Sequence, residues 1–198
     1  AIMLSSSGTT GFPKGIQPPL PDRRVDEPGE SLVMVAQYMF GISDADVYYS
    51  PAPIYHAAPL RWGAAVHALG GTVVLAAKFD PETALRHIEE YSVTAGQMVP
   101  TMFVRMLKLD PQIRARHDLS SLRVLIHAAA PCPPDVKRAM IDWLGPVIYD
   151  YYSSTEANGI TFINSQEWRD HPGSAGKSVI GPAHICNDAG TVPSAGDI

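Results

Sequence analysis

Eleven consecutive residues, Ser5-Ser6-Ser7-Gly8-Thr9-Thr10-Gly11-Phe12-Pro13-Lys14-Gly15, combine five hydroxyl side chains, three glycines and one lysine. Those are the parts of a phosphate cradle: backbone N–H groups left open by glycine, hydroxyl donors and a point cation. The composition by itself also fits a flexible Ser/Gly linker, against which stands Phe12-Pro13-Lys14-Gly15. A Walker A loop is excluded, because it requires GxxxxGK[ST] and Lys14 here follows Pro13 and precedes Gly15. Gly176-Lys177-Ser178 fails the same pattern, since His171 occupies the position of the first glycine. A P-loop kinase or GTPase is thereby disfavoured.

Such a loop needs a scaffold, and the rest of the chain reads as one. Thr72 to Ala76 is a β-branched strand, and Asp80-Pro81-Glu82 then gives an N-cap, a proline at the first helical position and an acidic first turn. Leu85, Ile88 and Tyr91 continue at helical spacing. The alternation repeats as strand Thr94 to Val99, helix Met102 to Leu109, strand Leu122 to His127, helix Pro134 to Leu144 and strand Val147 to Asp150. This order predicts an α/β fold, a mainly parallel doubly wound sheet with flanking helices. Ligands of such sheets bind outside the carboxyl ends of the strands, which places chemistry in the loops after His127 and Asp150. Gln17 to Glu30, with four prolines and mixed charge, reads as a solvated loop.

The chain has 198 residues, 45% apolar and 18% charged, which excludes a disordered segment and a coiled coil. Fifteen basic against 20 acidic residues give a net charge of -5, with no Lys/Arg run, so a nucleic-acid partner is set aside. The most apolar stretch, Ala64 to Ala77, is too short and too interrupted for a membrane span. Cys132 and Cys186 form neither a disulfide framework nor a zinc motif, and a reducing cytoplasm is the expected compartment. The start without Met and the stop in a turn-rich stretch after Pro193 suggest a piece cut at both ends.

The loop Ser6 to Gly15 closely resembles the [ST]SGTTGxPKG signature of the adenylate-forming superfamily, which holds acyl-CoA synthetases, luciferases and peptide-synthetase adenylation domains. Four further motifs follow in the family's order and cover nearly the whole chain. Pro53-Ile54-Tyr55-His56 resembles the P-x-aromatic-H motif, and Ala128-Ala129-Ala130-Pro131 resembles the adenine loop. Tyr152-Ser153-Ser154-Thr155-Glu156 is similar to YGxTE, with Ser153 in place of glycine. Gly173-Ser174-Ala175-Gly176-Lys177 resembles GSxGxP, with Lys177 at a small-residue position and Pro182 displaced.

The resemblance implies an ATP-dependent ligase that activates a carboxylic acid as acyl-AMP, releases pyrophosphate and passes the acyl group to the thiol of coenzyme A. It implies that Ser6, Ser7, Gly8, Thr9, Thr10, Gly11 and Lys14 hold polyphosphate, and that Glu156 ligates Mg²⁺, an ion suited to one carboxylate plus substrate phosphates. Thr155 would contact the α-phosphate. Ala129, Ala130, Asp150, Tyr151 and Tyr152 would bind adenine, with Tyr152 against the base and Asp150 near its amino group. His56 would gate the acyl and thiol channels, so the implied catalytic set is Lys14, His56, Thr155 and Glu156. Read without the family, Glu156 is an acid fit for a helix cap, and Asp150-Tyr151-Tyr152 a strand end carrying core aromatics.

An acyl pocket is expected from Leu60, Trp62, Gly63 and Val66 on the helix after His56 and from Met98 to Met102. Its apolar lining suits an apolar, fatty-type acid. Each of these residues also fits an ordinary core stripe. The remaining histidines, His127 among them, read as structural or surface groups, and no zinc site is expected. The resemblance also implies that residues 1–198 are an incomplete large domain, inactive alone, with exposed edges that favour a homodimer or poor solubility. Two alternatives stay open: a non-catalytic nucleotide-binding module, and an adenylating enzyme for another acid or acceptor, such as an aryl-CoA ligase or a carrier-protein loading enzyme.

Overall fold

In the computed structural model, residues 3–5, 11–17, 22, 24, 31–156, 159–182, 184, 186, 190 and 192 are described. Ser6, Ser7, Gly8, Thr9 and Thr10 lie outside them, as does most of Gln17 to Glu30. The described ends of the phosphate-loop segment form a small antiparallel pair, β1 (Leu4–Ser5) and β2 (Gly15–Ile16), with Leu4 opposite Ile16. The loop therefore connects two strands of a hairpin.

The body is a seven-stranded sheet of β3 (Val47–Ser50), β4 (Thr72–Leu75), β5 (Ala95–Met98), β6 (Val124–His127), β7 (Ile148–Ser153), β8 (Ile160–Asn164) and β9 (Lys177–Ser178). Its spatial order is β4-β3-β5-β6-β7-β8-β9. The pairs from β4 to β7 are parallel, and β7–β8 and β8–β9 are antiparallel. From β3 the chain runs through α2 (Ala57–Ala68) to β4 at the edge, then through α3 (Pro81–Glu90) back across to β5 on the other side of β3. That reversal is the switch point of a doubly wound sheet.

Side chains alternate between two cores, as the pleat requires. Tyr48, Ala95, Val124 and Ile126 face α1 (Ser31–Phe40) and α2, where Phe40, Trp62 and Val66 cover them. Tyr49, Met98, Leu125 and Ile148 face α3, α4 (Pro100–Leu107) and α6 (Pro134–Leu144), through Leu85, Ile88, Phe103, Met106 and Met140. Each fully buried side chain of this size contributes about 1.5–3 kcal/mol. Local chemistry sets the helix ends. The Asp80 carboxylate accepts from the Thr83 N–H at 2.9 Å with Pro81 at the first helical position, and α6 runs from Pro134 to a stop at Gly145, φ 83°.

Each expected strand and helix is present, α6 with its expected ends and most of the others with ends shifted by one to three residues. The helix expected from Met102 begins at Pro100, because proline is pre-organised for a first turn. The last expected strand runs on to Ser153, because β8 returns beside it and pairs through Ser153 and Ile160. The strand β3, next to the edge strand β4, is not visible in the sequence reading. Tyr48, Tyr49 and Ser50 are all buried, Tyr48 in one core and Tyr49 in the other, so no alternation marks the strand. Nor were the antiparallel strands β8 and β9, or the short helices α5 (Pro111–Arg114) and α7 (Ser165–Asp170), expected.

Candidate functional site

β3, β5, β6 and β7 run parallel, so their carboxyl ends share one edge of the sheet. The loops leaving that edge carry the residues singled out in the sequence: His56 after β3, Ala129 and Ala130 after β6, Thr155 and Glu156 after β7. His127 ends β6 opposite Asp150, so Tyr152 and Ser153 stand beyond the end of β6, where the chain of β6 passes into the Ala128-Ala129-Ala130 loop.

Ala129 has φ 76°, one of two non-glycine positive-φ residues among those described. An L-residue in this region costs roughly 1–2 kcal/mol, and strain of this kind concentrates at functional loops. Tyr152 is 69% exposed, a large flat ring that the core leaves uncovered. Ser153 needs no glycine freedom: it lies in regular strand geometry and its hydroxyl donates to the Gly159 carbonyl at 2.7 Å. Thr155 is half-buried and Glu156 exposed, both in the turn that follows. Glu156 is a carboxylate with no hydrogen-bond or ion-pair partner among the described residues, a hard oxygen donor at this edge.

His56 caps α2 with extended backbone, φ -80° and ψ 151°, but its side chain makes no capping hydrogen bond and lies 4.6 Å from the Tyr55 ring. Both rings are exposed. Lys14 and Gly11 are exposed in the hairpin segment. Gly176 is held by geometry: at φ 87°, any Cβ there would fall on the Phe162 carbonyl. That close approach lets β9 pair with β8.

Neighbours on β7 face opposite layers. Tyr151 turns to the α2 side, where its hydroxyl accepts from Trp62 Nε1 at 3.3 Å and Gln97 Nε2 at 3.1 Å, so its polar tip is engaged within the core. Asp150 turns to the α6 side. Its Oδ2 lies 3.0 Å from Lys137 Nζ and 3.1 Å from His127 Nε2. Burial acts to raise the Asp150 carboxyl, but His127 and Lys137 outweigh it and hold it below the usual value. Burial pulls the Lys137 ammonium down, and Asp150 pulls it back only in part. His127 is fully buried, edge-on to Phe103, and neither ring nitrogen is aligned for a hydrogen bond despite the approach to Asp150. Burial pushes the nearby Cys132 thiol up to about 11, which favours the neutral thiol over the thiolate.

The expected acyl lining divides. Trp62, Gly63 and Val66 are buried in the core under α2, Leu60 is exposed, and Met98 and Met102 belong to the core on the other face. The sheet lies between the two groups, because α2 packs on one face of it and α4 on the other.

Sequence reasoning missed Lys137. Its signal was present: on α6 it shares the buried stripe with Met140 and Ile141, where helical spacing calls for an apolar residue.

A family model described as AMP-binding enzyme matches residues 1–197. The chain belongs to the AMP-binding enzyme family. Among the relatives of this AMP-binding chain is YngI of Bacillus subtilis (strain 168), named as an acyl-CoA synthetase, 34% identical over 160 residues, 80% of this chain and 28% of YngI. Luciferin 4-monooxygenase of Luciola mingrelica is 29% identical over 184 residues, covering 90% of this chain and 32% of that protein. The crystal structure of ATP-bound MatB from Rhodopseudomonas palustris is similar with a TM-score of 0.76 and 26% identity, over 98% of this chain and 37% of that one. The chain thus spans about three tenths of the length of the curated relatives it matches. Among the described residues no helix is long and apolar enough to cross a membrane, and no three His, Cys, Asp or Glu side chains cluster as a metal site.

Proposed function

We propose that this chain is the nucleotide-binding part of an ATP-dependent ligase joining an apolar, fatty-type carboxylic acid to coenzyme A. The observation that carries this reading is the convergence of His56, Ala129, Tyr152, Thr155 and Glu156 on one edge of a parallel sheet, in a chain of the AMP-binding family. The acid's carboxylate attacks the α-phosphorus of ATP, the bond to the β-phosphate oxygen breaks, and pyrophosphate leaves with the electron pair. The thiol of coenzyme A then attacks the acyl carbonyl and AMP leaves.

In this scheme Lys14 and the hydroxyls of Ser6, Ser7, Thr9 and Thr10 offset the charge of the departing pyrophosphate, with Gly8 and Gly11 opening backbone N–H groups. Thr155 orients the α-phosphate. Glu156 would hold Mg²⁺, which when bound would supply charge stabilisation to the phosphates. Tyr152 stacks on the adenine over the Ala129-Ala130 backbone, Asp150 accepts from its amino group, and His56 gates the approach of acid and thiol. Tyr151 supports this edge from beneath through Trp62 and Gln97. Residues 1–198 act as part of the large domain, in a soluble cytoplasmic protein.

A second reading, an adenylating enzyme for another acid or acceptor, is favoured by the spread of relatives from an acyl-CoA synthetase to a luciferin monooxygenase. The test is carboxylate-dependent ATP/pyrophosphate exchange by the full-length protein with short, medium, long and aromatic acids, then with coenzyme A added. Exchange with an apolar acid followed by thioester formation supports the ligase. Exchange without thioester moves the acceptor elsewhere, and ATP binding without exchange leaves a non-catalytic nucleotide module.

A further inference from the structure

Lys137 is an ammonium group at 1% exposure, yet the adenylation scheme gives it no task. A buried charge of this kind is costly unless paired, and replacing such a pair by apolar residues is often neutral for stability. Its presence on an otherwise apolar stripe therefore asks for a reason. The group is pinned from two sides: Nζ donates to Asp150 Oδ2 at 3.0 Å and sits 5.0 Å over the Trp168 ring. Lys137 belongs to α6, the helix that follows the Ala128-Ala129-Ala130 loop, and Asp150 to β7, which leads into Tyr152, Thr155 and Glu156. One contact thus ties together the two segments that flank the proposed adenine position.

The pair also divides the two oxygens of Asp150. Oδ2 is occupied by Lys137 and approached by His127 at 3.1 Å. Oδ1 takes no hydrogen bond from a described residue and is not among the buried atoms left without a partner, while the side chain keeps 15% of its surface exposed. Oδ1 is therefore the oxygen of the pair left open to a further donor. A carboxylate clamped through one oxygen has its rotamer set, and the other oxygen then points in one direction.

We propose that Lys137 is a positioning residue for nucleotide recognition: it clamps Asp150 Oδ2 so that Oδ1 is presented to the amino group of adenine. This rests on the reading of the edge as an ATP site. Inosine triphosphate keeps the phosphates and ring shape of ATP but replaces the amino group by a carbonyl, which meets Oδ1 acceptor to acceptor.

The test is the ratio of inosine triphosphate to ATP dissociation constants, with Mg²⁺, for the full-length protein. The wild type is expected to favour ATP by about tenfold or more, the effect of one hydrogen bond to a charged group. Lys137→Met should bring the ratio within about threefold of one, and Lys137→Arg should restore part of it. A Lys137→Met protein that loses affinity for both nucleotides equally, keeping the ratio, overturns the proposal, since a purely structural lysine would act in that way. Should Lys137→Met fail to fold, Lys137→Gln, which keeps Asp150 and puts a shorter, neutral donor at the clamp, is expected to lower the preference for ATP part of the way, and a full wild-type ratio there also overturns it. A wild type that binds both nucleotides equally overturns the amino-group reading while leaving the ATP site standing; a wild type that binds neither overturns both.

Discussion

Trp62 reaches from α2 to Tyr151 on β7, its indole N–H donating to the phenol oxygen at 3.3 Å on the face of the strand opposite Asp150. Two adjacent tyrosines are thereby given different work. Tyr151 is a packed residue whose oxygen also satisfies Gln97, itself buried. Tyr151→Phe should cost about 1–2 kcal/mol by stranding that amide and leave ATP affinity nearly unchanged. Tyr152→Ala should do the reverse, weakening ATP by roughly tenfold or more through lost stacking with a melting temperature close to wild type. Paired melting and nucleotide titrations check both, and a larger ATP loss in Tyr151→Phe than in Tyr152→Ala would sink the assignment.

Ala129 offers a prediction in the stabilising direction. Its φ of 76° suits glycine better than an L-residue, so Ala129→Gly should raise stability by about 1 kcal/mol, the flexibility of the unfolded glycine offsetting part of the relieved strain. Denaturant midpoints measure this. No gain, or a loss, would mean that the alanine methyl makes a contact worth the strain.

Gly176 predicts the opposite sign. Its backbone sits where any Cβ meets the Phe162 carbonyl, and φ is 87°. Gly176→Ala should therefore detach β9 from β8 and cost about 3 kcal/mol or more. Amide exchange at Phe162, whose ladder partner on β9 is Lys177, should accelerate selectively, whereas unchanged protection would contradict the argument.

Asp46 and Arg123 predict a pH dependence. Burial acts to raise the Asp46 carboxyl, but Arg123, the Thr94 hydroxyl and the Ser43 N–H outweigh it and hold the group below 3.8. A carboxyl whose folded value is depressed contributes stability that is fully present above its unfolded value of about 3.9 and is lost as pH falls through the folded value. Asp46→Asn should cost about 2 kcal/mol at pH 7, discounted because Arg123 is 43% exposed. It should also flatten the fall in stability below pH 4. Urea titrations of both proteins between pH 7 and 3 test this, and parallel curves would remove Asp46 from the account.

The phosphate-loop composition, the strand-helix alternation from Thr72 to Asp150 and the order of five motifs are properties of residue type and spacing, and these were legible without coordinates. They were legible because turn residues, helix caps and 3.6-residue stripes act over a few positions of the chain. The wrapped order around β3 was not, since a four-residue strand buried on both sides carries no period and its neighbours are chosen by crossovers many residues long. The sorting of Asp150 to α6 and Tyr151 to α2 was also decided by tertiary structure: alternation says that neighbours face apart, but only the helices packed on each face say toward what. Lys137 completes the point. Its place on an apolar stripe could be read in the sequence, but the carboxylate that makes its burial tolerable lies on β7, and only the packing of α6 on the sheet brings the two within 3.0 Å.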